Sequence, residues 1–479
     1  MIRRTRLFGV LASLWILGAA CGTSTISNRI SLRPVEGVTA SGGGEVSQAV
    51  LVGGGGRDVV SLADCAADGS LTIIGETHKS FGESTDILAV HLSAGRQVEW
   101  AKTLGGRNKE QVVRVRRSAD GGYLVIAVTQ SLFRTPMPVQ GPQRLLIVKL
   151  SGAGVPEWSA LLKDDKADVI QGLLDAVPTG DGGYVLAGAA LSGSKHDHRE
   201  PTVVKVDQRG QPVWSRGYLL EYPGLADAVA VLADGDLVVA GSVERPDGTG
   251  SAKLAMLLLR LSPDGTVRWG RIAWAEGNSM APRQIRPVGD GFVVVGGVGG
   301  GGSIDIMAMQ VSGSGALIWS RRYGDPETKR ADPLAMAVSG DGDIVIAGSS
   351  GARREQRGGD QRVLSGVVLV LDPHGDLKRS STIGGQRAEE IRSAQPLDGG
   401  RLCVALNTEG FGATFSDILT ATWTPPALPV AQRFLAVQLD VQTAVVDVPS
   451  EPLLYRHEEL PVEFLNEHAL ELPVPAPAR

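Results

Sequence analysis

One recurring turn governs what this chain can become. The segment "SADGGYLVIAVTQS" at Ser118 returns as "TGDGGYVLAGAALS" at Thr179, and weaker copies read "AADGSLTIIGETHKS", "LADGDLVVAGSVE", "VGDGFVVVGGVG", "SGDGDIVIAGSSG" and "PLDGGRLCVALN". Their Asp-Gly pairs fall at Asp68, Asp120, Asp181, Asp234, Asp290, Asp341 and Asp398, between 51 and 61 residues apart, which makes seven units.

Each turn leads into a β-branched run, a loop, and a second run such as "DILAVHL", "RLLIVKL" or "AMLLLRL". A glycine turn and a strand marked by tryptophan follow, at Trp100, Trp158, Trp214, Trp269 and Trp319, with Arg379 in the sixth place. The runs are short, rich in Val, Ile and Leu, and bounded by Gly, Asp and Pro, which is a strand pattern and not a helical one. With the segment that leads back to the next Asp-Gly, a unit holds four strands. Seven four-stranded antiparallel units predict an all-β fold, a seven-bladed β-propeller, because one such sheet cannot cover both faces without neighbours. The tryptophans read as blade-to-blade packing. Glycine, 63 of 479 residues, fits many tight turns, and the 5 % aromatic content implies an aliphatic interior.

The recurring Gly-Gly, downstream acid, Asp-Gly-Gly-Tyr, Ala-Gly and Gly-x-x-x-Trp resemble the repeats of bacterial secreted propellers related to kelch-like and PQQ-like propellers. The resemblance covers residues 45–423 and implies the fold; propellers of this kind serve as lectins, scaffolds, receptors and enzymes, so it names no activity.

The N-terminus reads as an export signal. Arg3, Arg4 and Arg6 precede the apolar stretch Leu7–Ala20, which is too short to span a bilayer, and Cys21 follows Gly18-Ala19-Ala20. This resembles the lipobox of bacterial lipoproteins, with the usual leucine one place early at Leu17. It implies acylation of Cys21 and an outer-membrane or cell-surface address; ordinary signal cleavage, with a periplasmic or secreted product, is the alternative. Residues 22–44 read as a flexible tether and 424–479 as a Pro-rich acidic extension, disordered unless a partner orders it. Within it "RFLAVQLDVQTAVVDV" suggests an extra hairpin. Unit seven lacks a fourth strand, and Val46–Val52, which runs into "AVLVGGGGRD" at Ala49, is expected to supply it and close the ring, with Ala444–Val448 as competitor.

A net charge of −5, of which −4 lies between Glu451 and Arg479, argues against nucleic acid. Loops of variable length on one face mark the expected binding surface. There, His196, Asp197 and His198 form an incomplete metal set that reads better as a solvated loop, and Arg353, Arg354, Arg357 and Arg362 form a basic cluster in what reads as a mobile loop. Asp58, Glu110, Asp168, Asp227, Asp332 and Glu389 begin the first segments; they either ring the channel mouth or, preferably, cap turn amides at blade junctions. Cys65 and Cys403 fall on blades that ring closure makes neighbours, so they form an interblade disulfide or, the favoured reading, two separate buried thiols. No G-x-S-x-G, H-E-x-x-H or P-loop is present, and no catalytic residue, cofactor or metal is assigned. The expected function is that of a lipid-anchored binding or scaffold protein of the cell envelope, with a protein or glycan as ligand. The alternative is a secreted polysaccharide-active enzyme or a PQQ-like oxidoreductase.

Overall fold

Asp-Gly makes a tight turn because the carboxylate accepts the backbone N–H two residues on while glycine takes the left-handed conformation. Asp120 does this to the Gly122 amide at 2.9 Å, and Asp181 to Gly183 at 3.0 Å, with Gly121 and Gly182 both at φ +82°. Lys205, near the end of the next strand but one, reaches Asp181 at 2.7 Å and ties the turn to its own sheet. In the computed structural model these turns separate the first two strands of seven sheets. It describes residues 31–460 apart from 41–43, 55, 79–83, 107, 131–143, 165–172, 193–197, 247–251, 326–327, 329, 357–358, 385–386, 412, 414–415, 425, 427–433, 449 and 453–454.

The fold is a seven-bladed β-propeller of four-stranded antiparallel blades. The inner strands are Asp58–Cys65, Glu110–Arg117, Leu173–Pro178, Gly224–Val231, Ser279–Val288, Ala331–Val338 and Glu389–Pro396; they neighbour one another in chain order, and the seventh packs on the first. Aliphatic cores lie between blades, as where Val52, Ile418 and Ala405 of blade 7 meet Ile73 and Val90 of blade 1. Among the described residues the one helical element is a 3-10 turn, Asp398–Gly400.

The tryptophans explain how blades hold their spacing. Trp100, Trp158, Trp214, Trp269 and Trp319 each lie on the turn glycine between strands three and four of the next blade: Gly154, Gly210, Gly265, Gly315 and Gly375. A Cβ at Gly210 would come within 2.6 Å of the Trp158 ring, and Gly210 sits at φ +78°, so no other residue fits there without strain. The indole N–H of Trp158 donates to Gln208 O at 2.8 Å, and that of Trp214 to Pro263 O at 3.2 Å, across the same junctions. Arg379 in blade 6 now has a reason. Strands three and four of blade 7 come from opposite ends of the chain, so no such turn exists there to receive a ring.

Ring closure follows the expectation. Glu45–Gly53 pairs antiparallel with Asp417–Thr424 as the fourth strand of blade 7. It carries no tryptophan; Gln48 instead accepts the Arg96 guanidinium at 3.0 Å, and Arg96 occupies the place of the turn glycine in blade 1 at φ +60°. The same junction holds Cys65 and Cys403 as a disulfide with Cα atoms 6.5 Å apart, in place of the favoured pair of separate thiols. Gln395 accepts from Cys65 N at 2.9 Å and donates to Cys65 O at 3.0 Å beside it.

Both chain ends depart from the expected tether and extension. Ser31–Pro34 adds a fifth strand outside blade 7, and Ala40 makes an isolated antiparallel bridge to Ile383 on the outer strand of blade 6. The described residues of 433–448 form no hairpin: Leu435–Gln438 pairs with the outer strand of blade 5, and Gln442–Val446, which holds part of the competitor for ring closure Ala444–Val448, with that of blade 4. Ser450–Pro452 then joins blade 3 and Tyr455–Leu460 joins blade 2. A two-strand hairpin has one face too few to bury; single strands laid on existing sheet edges do not carry that cost.

Candidate functional site in the central channel

Every inner strand carries a β-bulge, which inserts one residue into the inner strand against its partner. The inserted residues are Ser61, Val113, Leu174, Asp227, Arg283, Leu334 and Arg392, all at least partly exposed where the blade faces are otherwise covered, so they line the axis. The second strand must come close at this point. A Cβ at Gly296 would lie 2.1 Å from Ala281 O, which accounts for the Ala-Gly or Gly-Gly that follows the turn in the sequence.

The residue after the bulge turns toward the next blade. Arg114 Nε donates to Leu174 O at 3.2 Å, Gln284 Nε2 to Leu334 O at 2.8 Å and Ser393 Oγ to Ala63 O at 3.1 Å, while buried Asp175 accepts Val229 N at 3.2 Å. These bonds lace the inner strands into a stiff ring. They also gather charge. Arg116 donates to Asp175 and, through Nε, to Ala176 O at 3.0 Å, and Arg114 stands 3.5 Å from the same carboxylate. Arg286 donates to Gln284 Oε1 at 3.0 Å and to Ile285 O at 2.8 Å. Arg392 pairs with Glu390 at 2.6 Å while its Nε is buried without a hydrogen-bond partner among the described residues.

Among the described residues five guanidiniums, Arg114, Arg116, Arg283, Arg286 and Arg392, thus gather near the bulges with Asp175, Asp227, Glu390 and, paired with Arg330, Asp332. Burial pulls Arg114 down to about 10; Asp175 opposes this, and the crowding of Arg116, Arg283 and Arg392 adds to it. Arg286 is held at about 10 by burial and then by the charges of Arg116 and Arg114. Asp227 is pushed up to about 7 by burial, against the Ser242 hydroxyl that donates to it at 2.7 Å and the charges of Arg283 and Arg114.

Of the six acids read as starting the first segments, only Asp227 stands on the bulge. Asp58 accepts the Gly54 amide at 2.7 Å and burial lifts it to about 6; Glu110 accepts Gly106 N at 3.0 Å and Thr129 Oγ1 at 2.8 Å. Buried Glu389 lies against the backbone of Gly384 and Gly410, Asp332 pairs with Arg330 at 3.1 Å, and Asp168 lies outside the described residues. Cys21, His196, Asp197 and Arg357 also lie outside them. His198 opens the third strand of blade 3, opposite Ser192. Arg353 and Arg354 lie in Ile344–Gln356, and Arg362 in Gly359–Leu371 directly opposite Arg353, so the expected loop "ARREQRGGDQR" is mostly the far end of a long hairpin. Among the described residues no three His, Cys, Asp or Glu side chains gather as a metal would require. A cleft of about 180 Å³ opens between blades 1 and 2, lined by Arg57, Glu76, His78, Lys109 and Gln130 among others.

No family model matches the chain, and no curated protein does. Among solved structures it is similar to a protein of unknown function from Bacteroides caccae (14 % identity over 54 % of this chain and 78 % of that one, TM-score 0.33). It is also similar to one from Dyadobacter fermentans (13 %, 68 % and 98 %, TM-score 0.41) and to the WD40 domain of Neurospora crassa Pan2 (9 %, 67 % and 91 %, TM-score 0.38). At these scores the likenesses add nothing to the architecture already described.

Proposed function

We propose that the protein is an exported, non-catalytic binding propeller of the cell envelope, anchored through an acylated Cys21, whose channel takes an acidic group of a protein or glycan partner. The observation that carries this reading is the surplus of arginine over carboxylate on rigid inner strands. Guanidinium is the side chain best shaped for bidentate carboxylate, sulfate or phosphate, and a laced ring presents it without reordering on binding. The resemblance to bacterial secreted propellers and the signal-like N-terminus support the address.

Calorimetry with heparin and polygalacturonate oligosaccharides against neutral dextran tests the reading. The acidic ligands should bind and dextran should not, and Arg283→Ala with Arg392→Ala should weaken binding roughly 10- to 100-fold, the value of one or two charge-assisted hydrogen bonds. Equal or absent binding of all three, unchanged by the substitutions, would defeat it. In the same cells Cys21→Ser should move the protein from the membrane to the soluble fraction; no movement removes the lipid anchor from the proposal. One observation favours a second reading, cleavage of an acidic polysaccharide: an aspartate held near neutrality among arginines suits proton transfer. Asp227→Asn separates the two, since a binder keeps its affinity and a hydrolase loses turnover.

A further inference from the structure

The cleft between blades 1 and 2 is built where the fold asks nothing of the side chains. Late in strand two, or just past it, a backbone N–H donates to the carbonyl that precedes the inner strand of the same blade: His78 to Arg57 and Gln130 to Lys109, both at 2.9 Å, and likewise Glu244 to Pro223, Gly351 to Arg330 and Glu409 to Ala388. Proline and alanine serve there as well as a base. Two neighbouring blades nevertheless carry bases, and Arg57 and Lys109 line one cleft of about 180 Å³ together with Glu76, His78, Gln111 and Gln130. Arg330, their counterpart in blade 6, is neutralised by Asp332 at 3.1 Å, whereas among the described residues the side chains of Arg57 and Lys109 have no such partner. We propose that this cleft binds one small hydroxylated acid, of the size of a single uronic acid, its carboxylate on Arg57 and Lys109 and its hydroxyls on Glu76, His78 and the glutamine amides.

The polar groups of the cleft set the chemistry of its ligand. Glu76 Oε2 accepts Val112 N at 3.0 Å across the blade junction, the role that neutral Asn407 fills for Val60 N at 2.8 Å. That bond does not require a carboxylate, and the second oxygen, Oε1, stands 3.9 Å from His78 Nε2, beyond hydrogen-bond reach. Thr85 Oγ1 lies 3.3 Å from His78 Nδ1, so Nε2, which is buried and has no hydrogen-bond partner among the described residues, is the ring nitrogen left for a ligand. A hydroxyl can donate to Glu76 and also bond imidazole, whereas an ionised carboxylate only accepts and belongs with the cations; Gln111 and Gln130 offer amides to either. The volume falls below the ~300–1,000 Å³ of pockets that take drug-sized ligands, which suits a single ring. The walls are also fixed in advance. A Cβ at Gly56 would lie 1.8 Å from His78 O, so the glycine run seats Arg57 against the end of strand two, and Thr85 makes a parallel bridge to Lys109 across the junction, which keeps the cost of ordering on binding small. No channel arginine lines the cleft, so the inference does not rest on the channel's binding anything.

Calorimetric titration of the full chain with galacturonate and glucuronate, set against galactose, glucose and inorganic phosphate, tests the inference. At least one uronate should bind, and the neutral sugars and phosphate should bind about tenfold more weakly or not at all. Arg57→Ala with Lys109→Ala should weaken uronate binding by about 10- to 100-fold, the loss of one or two charge-assisted hydrogen bonds, while Arg330→Ala at the equivalent place in blade 6 should change nothing. Should the double variant fail to fold, Lys109→Gln alone carries the test, with a loss of about tenfold expected. Absence of uronate binding at tens of millimolar, neutral sugars or phosphate bound as tightly, or affinity untouched by the Arg57 and Lys109 variants overturns the inference. Affinity that survives those variants and disappears with Arg283→Ala and Arg392→Ala places the uronate in the channel, which overturns the cleft and leaves the channel reading standing.

Discussion

Asp227 shows how one inserted residue sets chemistry. Standing on a bulge, it faces the axis, and burial holds its carboxyl near 7 although arginines surround it. The folded state therefore keeps a proton that the unfolded chain releases near pH 4. Stability from this group is fully present below about pH 4 and is lost as pH rises through 7. Asn mimics the protonated form, so Asp227→Asn should leave the unfolding midpoint unchanged at pH 4 and raise stability at pH 8 by about 2–4 kcal/mol, from a pKa displacement of that order. Equal effects at both pH values would show that the carboxyl ionises as usual. The bulge also explains what sequence reading missed here. Its place early in a segment groups Asp227 with Asp58 and Glu110, yet it lies on the inserted residue while they precede it. Strict alternation counts wrongly by one past each insertion, so Arg114 and Arg116 in "RVRR", and Arg283 and Arg286 in "PRQIR", could not be assigned to the axis.

Strands differ in how well they announce themselves. Those inside blades are bracketed by Asp-Gly and by a tryptophan that needs a glycine in the next blade, so local chemistry marks both their ends. The four C-terminal strands laid on blades 5 to 2, from Leu435–Gln438 to Tyr455–Leu460, are three to six residues long, mix polar and apolar side chains without a period, and owe their conformation to an edge built elsewhere in the chain. Nothing within them says strand. Glu45–Gly53 lies between these cases, legible only because blade 7 was one strand short. It pairs with Asp417–Thr424 and buries Val50, Leu51 and Val52, each at most 5 % exposed. Deleting Gln48–Val52 should remove about 1.5–3 kcal/mol for each large aliphatic side chain and expose two edges, and the melting temperature should fall sharply. An unchanged melting curve would mean that some other segment closes the ring.

At the scale of the whole ring, one junction differs from the rest in kind. Blade 7 meets blade 1 through Cys65 and Cys403, 338 residues apart and joined covalently. Because a covalent link across so long a loop restrains the unfolded chain strongly, Cys65→Ser with Cys403→Ser should lower stability by about 2–5 kcal/mol, read as a shift in denaturant midpoint. Reductant should shift the wild type to the same place and leave the double variant alone. A wild type indifferent to reductant would show that the thiols are not joined in solution.

The origin of blade 7 also imposes an order of events on synthesis. Its outer strand is among the first parts of the chain to be made, and the strand it pairs with is completed more than 360 residues later. Throughout that interval a sticky apolar segment waits with no edge to join, while blades 1 to 6 have their own strands at hand. Ring formation is thus a late, long-range step, and slow steps of that kind expose a chain to mispairing with its neighbours. For a chain made from its N-terminus onward, the hazard is greatest between the arrival of the first strand and that of the last.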